Sequence, residues 1–442
     1  MVDSEVLLNR HLRVAAKRYG PLKQNIFMKH FIYTTTLVIA LTFCDLLQAQ
    51  TIDNKIIIGA IDSIQSTILN EERKLWIYIP DSEPGSYYSK QKYPVIYLLD
   101  GPSNFYSMVG LVDFLGRETV MPKMIIVGID NTDRWRDLTP TKWQPDSTEN
   151  ISFPPSVGGG EGFTSFLEKE LIPYIDSKYP TAPYRMMIGH SLGGLMVINT
   201  LLHHSHLFNS YVDIDPSLWW DDELMIKQAD SILQLQRFER KSLYLAMANN
   251  TGLPKDIDIY SVLTDTTESA IQARNIVSFA NALKTNDTHD ILWKFKFYPD
   301  EYHPTVPLIA EFDATRFIFD KYNVNMNVPF LLQLQDPALD AETVMTTHFK
   351  MVSEHLGYTI LPPEHFVNQY GYGMMQANEM DKAFKFFGMN VRNYPNSFNV
   401  YDSMGDYYVA LNDKENAIIF YLKALELKEV PATRKKLEEL KN

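Results

Sequence analysis

The chain has 442 residues, 45% hydrophobic, 12% aromatic and 21% charged, a composition expected of a soluble globular protein too long for one usual domain. Its net charge is -13, and the first fifty residues are its basic part: they hold six Lys/Arg against three Asp/Glu, leaving 35 against 51, or -16, for the rest. So acidic a body repels nucleic-acid phosphates and anionic lipid, which removes both from the expected partners and leaves a neutral small molecule unaffected.

Met28-Lys29-His30, the apolar stretch Phe31 to Phe43, and Leu47-Gln48-Ala49-Gln50 read as the basic, apolar and cleavage regions of a signal peptide. The apolar part is too short to span a bilayer. The signal therefore occupies 28–50, and residues 1–27 read as an over-extended start. The only cysteine, Cys44, lies inside it, and Phe43 stands where a lipidation signal wants a small residue. A mature chain cut after Ala49 or Gln50 has no cysteine, which excludes disulfides, cysteine catalysis and thiolate metal sites. A bacterial periplasm or cell exterior is the expected location, with no membrane attachment after cleavage.

From residue 51 the chain alternates apolar runs with helical patterns. Leu75 to Ile79 and Tyr93 to Leu99 read as strands, the second ending at Asp100-Gly101; Met124 to Ile129 is a third, followed by a Pro-, Asp- and Thr-rich loop to about residue 155. Gly158-Gly159-Gly160 precedes a helix over 163–178, where Phe163, Phe166, Leu167, Leu171, Ile172 and Ile175 share one face. No Lys-Ser/Thr follows, so the three glycines are not a phosphate loop and are expected to make a flexible rim. Arg185 to Ile188 is a further strand, and Gly194 to Leu202 an apolar helix. Tyr211 to Ile214, Leu243 to Ala248 and Trp293 to Tyr298 complete a mostly parallel sheet covered on both faces, in which ligands bind at the carboxyl ends of the strands.

Near Tyr322-Asn323-Val324-Asn325 strands cease. A helical linker over 323–363, with a helix from Ala341 to His355, leads to a 34-residue repeat over 364–442. Gly371, Ala383 and Phe387 recur as Gly405, Ala417 and Tyr421, with Tyr408 and Ala424 adding to the second copy. Period and residue types resemble tetratricopeptide repeats, whose small residues let paired helices approach while aromatics fill the groove. Ala432 to Lys441 reads as a polar capping helix. Two copies are few to stand alone, so this unit is expected to dock on the larger domain, a second subunit or a protein partner.

The chemistry centres on Gly189-His190-Ser191-Leu192-Gly193, which lies between strand and helix and fits G-x-S-x-G. In that motif a sharp turn lifts the serine hydroxyl out of the sheet. A serine nucleophile needs a base, and His303, just past the last strand, sits at the carboxyl end where Ser191 also lies. His190 is expected to shape the turn. His203, His204 and His206 end an apolar helix and read as a solvated helix end, not a metal cluster. The acid is open: Asp258 is the first choice, with Asp256, Asp265, Glu268 and Asp215 as alternatives, or a Ser–His dyad with none. For the oxyanion, the Leu192 amide supplies one donor; Pro102 has no N–H, which points to Ser103 for the second.

Tyr93 to Gly101, Gly189 to Gly194, Pro216-Ser217-Leu218-Trp219-Trp220, the stretch Asn131 to Thr141 and the surroundings of His303 together resemble the putative esterase family. This is the α/β-hydrolase group that includes ferric-enterobactin esterases and esterase D, and the resemblance spans about 60–322. It implies an α/β-hydrolase fold over 51–322 and hydrolysis of a small-molecule carboxylic ester through an acyl-serine, with no metal or other cofactor. The ester would be a siderophore lactone, a sugar-acyl group or a simple acyl ester. Trp219 and Trp220 would wall an aromatic acyl pocket. Arg134 and Arg136 would hold an acidic or catecholate substrate, or make an internal salt bridge to Asp137. Pro102, Asp215 before Pro216, and Pro304 after His303 depart from the family pattern. The competing class is an interaction protein, a catalytically weak hydrolase-fold scaffold whose helical repeats bind a partner.

Overall fold

The computed structural model describes residues 56–80, 92–144, 152–324, 327–336 and 338–441. The expected signal peptide, residues 1–27, Cys44 and Asn325 lie outside them. Among the described residues no helix is long and apolar enough to cross a membrane. From Ile58 to Asn442 the chain forms one compact unit.

Eight strands make one sheet: β1 (Ala60–Ser66), β2 (Glu71–Tyr78), β3 (Tyr93–Leu98), β4 (Ile125–Ile129), β5 (Thr181–His190), β6 (Ser210–Ile214), β7 (Ser242–Ala248) and β8 (Leu292–Tyr298). Their order is β1-β2-β4-β3-β5-β6-β7-β8; β1 and β2 pair antiparallel and β3 to β8 are parallel. The runs Tyr93–Leu98, Ile125–Ile129, Ser210–Ile214 and Ser242–Ala248 are buried along their whole length, the pattern of parallel strands covered on both faces. β1 was invisible in the sequence because it is a polar edge strand, Ala-Ile-Asp-Ser-Ile-Gln-Ser, mostly open to solvent.

One face carries α3 (Gly160–Phe166), α4 (Ile172–Lys178), α5 (Leu192–His203), α6 (Trp220–Leu235) and α7 (Ile271–Thr285), the other α1 (Gly101–Arg117) and α8 (Val306–Ile318). A short helix, α2 (Arg134–Leu138), stands after β4. The helix expected over 163–178 is α3 and α4 joined by a π turn at Leu167–Leu171. Within that turn Glu170 accepts from the Thr67 amide at 2.9 Å and from Ser66 and Thr67 hydroxyls, pinning the β1–β2 turn.

The C-terminal helices are α9 (Val328–Gln335), α10 (Ala341–Leu356), α11 (Glu364–Gln376), α12 (Met380–Asn393), α13 (Phe398–Ala410), α14 (Lys414–Leu427) and α15 (Pro431–Lys441). Phe349, Phe366, Phe386 and Met389 share one buried cluster with Phe105, Ile126 and Ala310, so these helices extend the core on one face of the sheet. The 34-residue repeat is a repeated contact: a Cβ on Gly371 would stand 2.6 Å from Phe387, and one on Gly405 2.4 Å from Tyr421.

Candidate active site

Ser191 links β5 to α5 with φ 62 and ψ -117, a left-handed region that a non-glycine residue enters only when its surroundings hold it there. Two backbone hydrogen bonds hold it: its N–H donates to Ile214 O at 3.0 Å, and its carbonyl accepts from the Ser217 amide at 3.1 Å. A Cβ on Gly189 would lie 2.3 Å from Gly193 O, and one on Gly194 2.4 Å from Asp213 Oδ1, so a side chain at either forces its neighbours to move. The Ser191 hydroxyl lies 3.4 Å from Ser217 Oγ and makes no hydrogen bond with His303.

His303 is positioned from β6 and β7. Its Nδ1 lies 2.5 Å from Asp215 Oδ2, and its N–H donates to Asn250 Oδ1 at 2.7 Å. Asp215 is fully buried directly after β6, with φ 44. Its Oδ1 accepts from the Ala248 amide and its Oδ2 from Asn250 Nδ2, both at 2.9 Å. Gln272 Nε2 donates to the Asp215 and Pro216 carbonyls at 3.0 and 2.8 Å. A buried carboxylate held by this many donors fixes the orientation and tautomer of the imidazole beside it.

Asp258 is therefore not the residue beside His303. It is exposed and caps the 3-10 helix Ile259–Thr264, accepting from the Tyr260 amide at 3.2 Å. Asp265 likewise takes the Thr267 amide and hydroxyl. Asp215, one of the alternatives the sequence offered, follows β6, the strand next to the one that ends before Ser191.

Ser103 also falls away as a donor, because its amide is committed to Asp100 O at 3.0 Å in the first turn of α1. The Leu192 and Gly101 amides, each first in its helix, make no hydrogen bond within the described chain. Arg134 is not a free cation: Nε and a terminal nitrogen pair with Asp100 Oδ1 and Oδ2 at 2.8 and 2.9 Å. The salt bridge to Asp137 belongs to Arg136 and to the buried Arg73, with Glu71 completing the network.

Trp219 and Trp220 join Trp135, Trp143 and Phe153 in an aromatic cluster beside Ser217. Phe153 and Trp219 stack with centroids 6.1 Å apart, and Trp143 meets Trp220 edge-on at 5.3 Å. Trp220 is 1% exposed and donates to Thr141 Oγ1 at 3.1 Å, so it packs; Trp219 is half-buried. The three glycines are not a flexible rim: Gly158 donates to Thr139 Oγ1 at 2.7 Å, Gly159 to Arg136 O at 2.9 Å and Gly160 to Thr139 O at 3.0 Å.

Two buried groups beside the site titrate unusually. Burial, then the neighbouring His303, lowers His190 to about 4, and the two rings lie 4.3 Å apart. Asp213 is fully buried with both oxygens unpartnered; burial and the Asp215 charge push its carboxyl well above the usual range. Past the end of α5, His204 lies 3.3 Å from Glu161 and His206 2.8 Å from Glu168. Even so, among the described residues no His, Cys, Asp and Glu cluster could hold a metal. A cavity of about 370 Å³ lined by Tyr93, Tyr358, His365 and Tyr394 opens at the other end of β3 and shares no residue with this site.

Comparison with known proteins gives the same architecture. Ferri-bacillibactin esterase BesA of Bacillus subtilis is 34% identical over 193 residues, 40% of this chain and 66% of that protein, so the chain spans just under two thirds of this relative. The crystal structure of an IroE-like serine hydrolase from Shewanella oneidensis superposes with a TM-score of 0.63 at 28% identity, covering 76% of this chain and 99% of that one. An uncharacterised protein from Capnocytophaga ochracea, at 19% identity and a TM-score of 0.55, covers 86% of this chain and 99% of its own, and shows the fold alone. The family described as Putative esterase matches residues 66–306, more than half of the chain. With an α/β-hydrolase-like sheet, a serine elbow and this match, the chain belongs to the putative esterase family.

Proposed function

We propose that the chain is an exported serine hydrolase of carboxylic esters. The observation that carries this reading is the buried Asp215 holding His303 Nδ1 at 2.5 Å, at the same end of the sheet as the strained Ser191. Ser191 Oγ turns from Ser217 toward His303, gives its proton to Nε2 and attacks the ester carbonyl carbon. Resting geometry of this kind is often loose and tightens only with substrate. The Leu192 and Gly101 amides receive the developing oxyanion. Collapse breaks the carbon–oxygen bond, and His303 returns the proton to the leaving alkoxide. Water, deprotonated by His303, then attacks the acyl-serine; the carbon–Oγ bond breaks, the acid leaves and His303 returns the proton to Ser191 Oγ, while Asp215 stabilises each imidazolium.

One named relative is a ferri-bacillibactin esterase, which puts a siderophore ester first, ahead of sugar-acyl and simple acyl esters. The half-buried Trp219, stacked on Phe153, supports an aromatic acyl group. Residues 28–50 support export to the periplasm or cell exterior, and the Gly371–Phe387 and Gly405–Tyr421 contacts support a tetratricopeptide-like reading of 364–442, able to dock a protein partner. The second reading, a weakly catalytic scaffold, draws on the Ser191–Ser217 contact and on Pro102. Hydrolysis of p-nitrophenyl acetate and butyrate beside Ser191→Ala and His303→Ala decides between them. Turnover lost in both folded variants is the expected result; equal rates in all three, with no fluorophosphonate on Ser191, would leave the scaffold.

A further inference from the structure

Arg134 is the sequence-offered cation that the reaction as drawn does not use. Its two-pronged pairing with Asp100 is the arrangement guanidinium and carboxylate make best, and Asn131 Nδ2 adds a third bond to Asp100 at 2.6 Å. The same Arg134 nitrogen that meets Asp100 Oδ2 also donates to the carbonyl of His190 at 3.3 Å. Asp100 immediately precedes Gly101, and His190 immediately precedes Ser191. One guanidinium thus ties the strand end that carries the Gly101 amide to the strand end that carries the nucleophile and the Leu192 amide.

The charge matters as much as the tie. A Cβ on Gly193 would stand 3.5 Å from Asp100 Oδ2, so this carboxylate lies against the first turn of α5. Unpaired, it would repel negative charge growing on a substrate oxygen a few ångströms away. It would also compete for the free amides at that helix end. Asp100 itself sits at φ 52, a conformation its three side-chain bonds help to hold.

We infer that Arg134 is a positioning residue that sets the two oxyanion amides in register and neutralises Asp100. This rests on the serine-esterase reading. The test uses the full chain with p-nitrophenyl butyrate, a neutral substrate, in Arg134→Gln and in Arg134→Gln with Asp100→Asn. Loss of preorganised oxyanion donors typically reduces turnover by about 10²–10³, and a displaced pair by less, so Arg134→Gln should lower kcat roughly 10–100-fold with KM within about twofold. The double variant removes the stray carboxylate and keeps a neutral amide pair, so it should recover about tenfold of that loss. Affinity for an alkyl boronate that forms a tetrahedral adduct on Ser191 should move with kcat. A rise in KM with kcat unchanged would make Arg134 a substrate contact and overturn the inference, as would equal rates in all proteins or no recovery in the double variant. Should Arg134→Gln not fold alone, the double variant still decides: turnover within about tenfold of the parent supports the clamp, and a deficit beyond about a hundredfold overturns it. Failure of fluorophosphonate to label the parent protein would instead sink the esterase reading, which keeps the two failures apart.

Discussion

Glycine admits a close neighbour both at the serine elbow and in the C-terminal helices, but the neighbours differ. At Gly194 the space goes to a carboxyl oxygen and Pro216; at Gly405 it goes to the ring of Tyr421. Around the elbow the chain stores backbone strain at Ser191, Asp100 and Asp215 and buries polar groups that reach it from distant elements. The helices store packing: Ala383, Phe387, Ala417 and Tyr421 are buried. Damage at the elbow should therefore appear in rate, and damage in the helices in stability.

The largest effect tests the elbow directly. Ser191→Ala should lower ester turnover by on the order of 10⁴–10⁶ with the melting temperature held, since triad members act as a unit. Next comes the acid. Asp215→Asn should reduce kcat by roughly 10²–10⁴, because the tautomer and charge that hold His303 are lost. Asp258→Asn, on the exposed 3-10 helix, should leave kcat within about twofold, since neutral surface changes seldom reach the site. Matched losses in the two variants would reopen the choice of acid.

Paired glycine substitutions set the regions against each other. Gly405→Ala drives a methyl into a buried tyrosine, which costs about 1–3 kcal/mol of overpacking, and the rate of the surviving fold should be unchanged. Gly194→Ala meets Asp213 and Pro216, and relief there moves the elbow, so its rate should fall more than its stability does. Denaturant unfolding and turnover on the same samples give both readouts. A rate loss in Gly405→Ala would mean that the helices support the active site.

Legibility follows the same division. Ser191, His303, the parallel sheet and the Gly–aromatic repeat were readable because each is a local pattern whose steric need is written in neighbouring residues. The pairing of His303 with Asp215, 88 positions away, and of Arg134 with Asp100, 34 positions away, depends on which strand ends meet, and no local pattern carries that. Asp258 follows β7, while the turn that carries Asp215 follows β6. Ser103 was inferred from Pro102's missing N–H, without the helix turn that engages its amide. β1 escaped because an exposed edge strand needs no apolar pattern.

The finest comparison uses one buried histidine from each region. His348, in α10, lies 4.2 Å from the Phe330 ring with Nε2 unpartnered, and burial lowers it to about 4, the value that burial and His303 give His190. Both pKa values lie below the ordinary 6.5, so between about pH 4 and 6.5 the unfolded chain binds more protons than the native one. Stability from each histidine is then complete above pH 6.5 and lost as pH falls through that window, by about 1–3 kcal/mol per residue. Asp213 and Glu311, the latter raised to about 8 by burial, act in the opposite sense, losing stability as pH rises. They remain in every variant, so differences between variants cancel them. His348→Phe should flatten the acid limb of denaturant stability measured at pH 4.5, 5.5 and 7, with ester turnover untouched. His190→Asn should flatten it equally and also change the rate, because only His190 lies against His303. If both substitutions flatten stability and neither touches rate, the stacked imidazole at the elbow is packing, and the difference between the two regions narrows to the strain at Ser191.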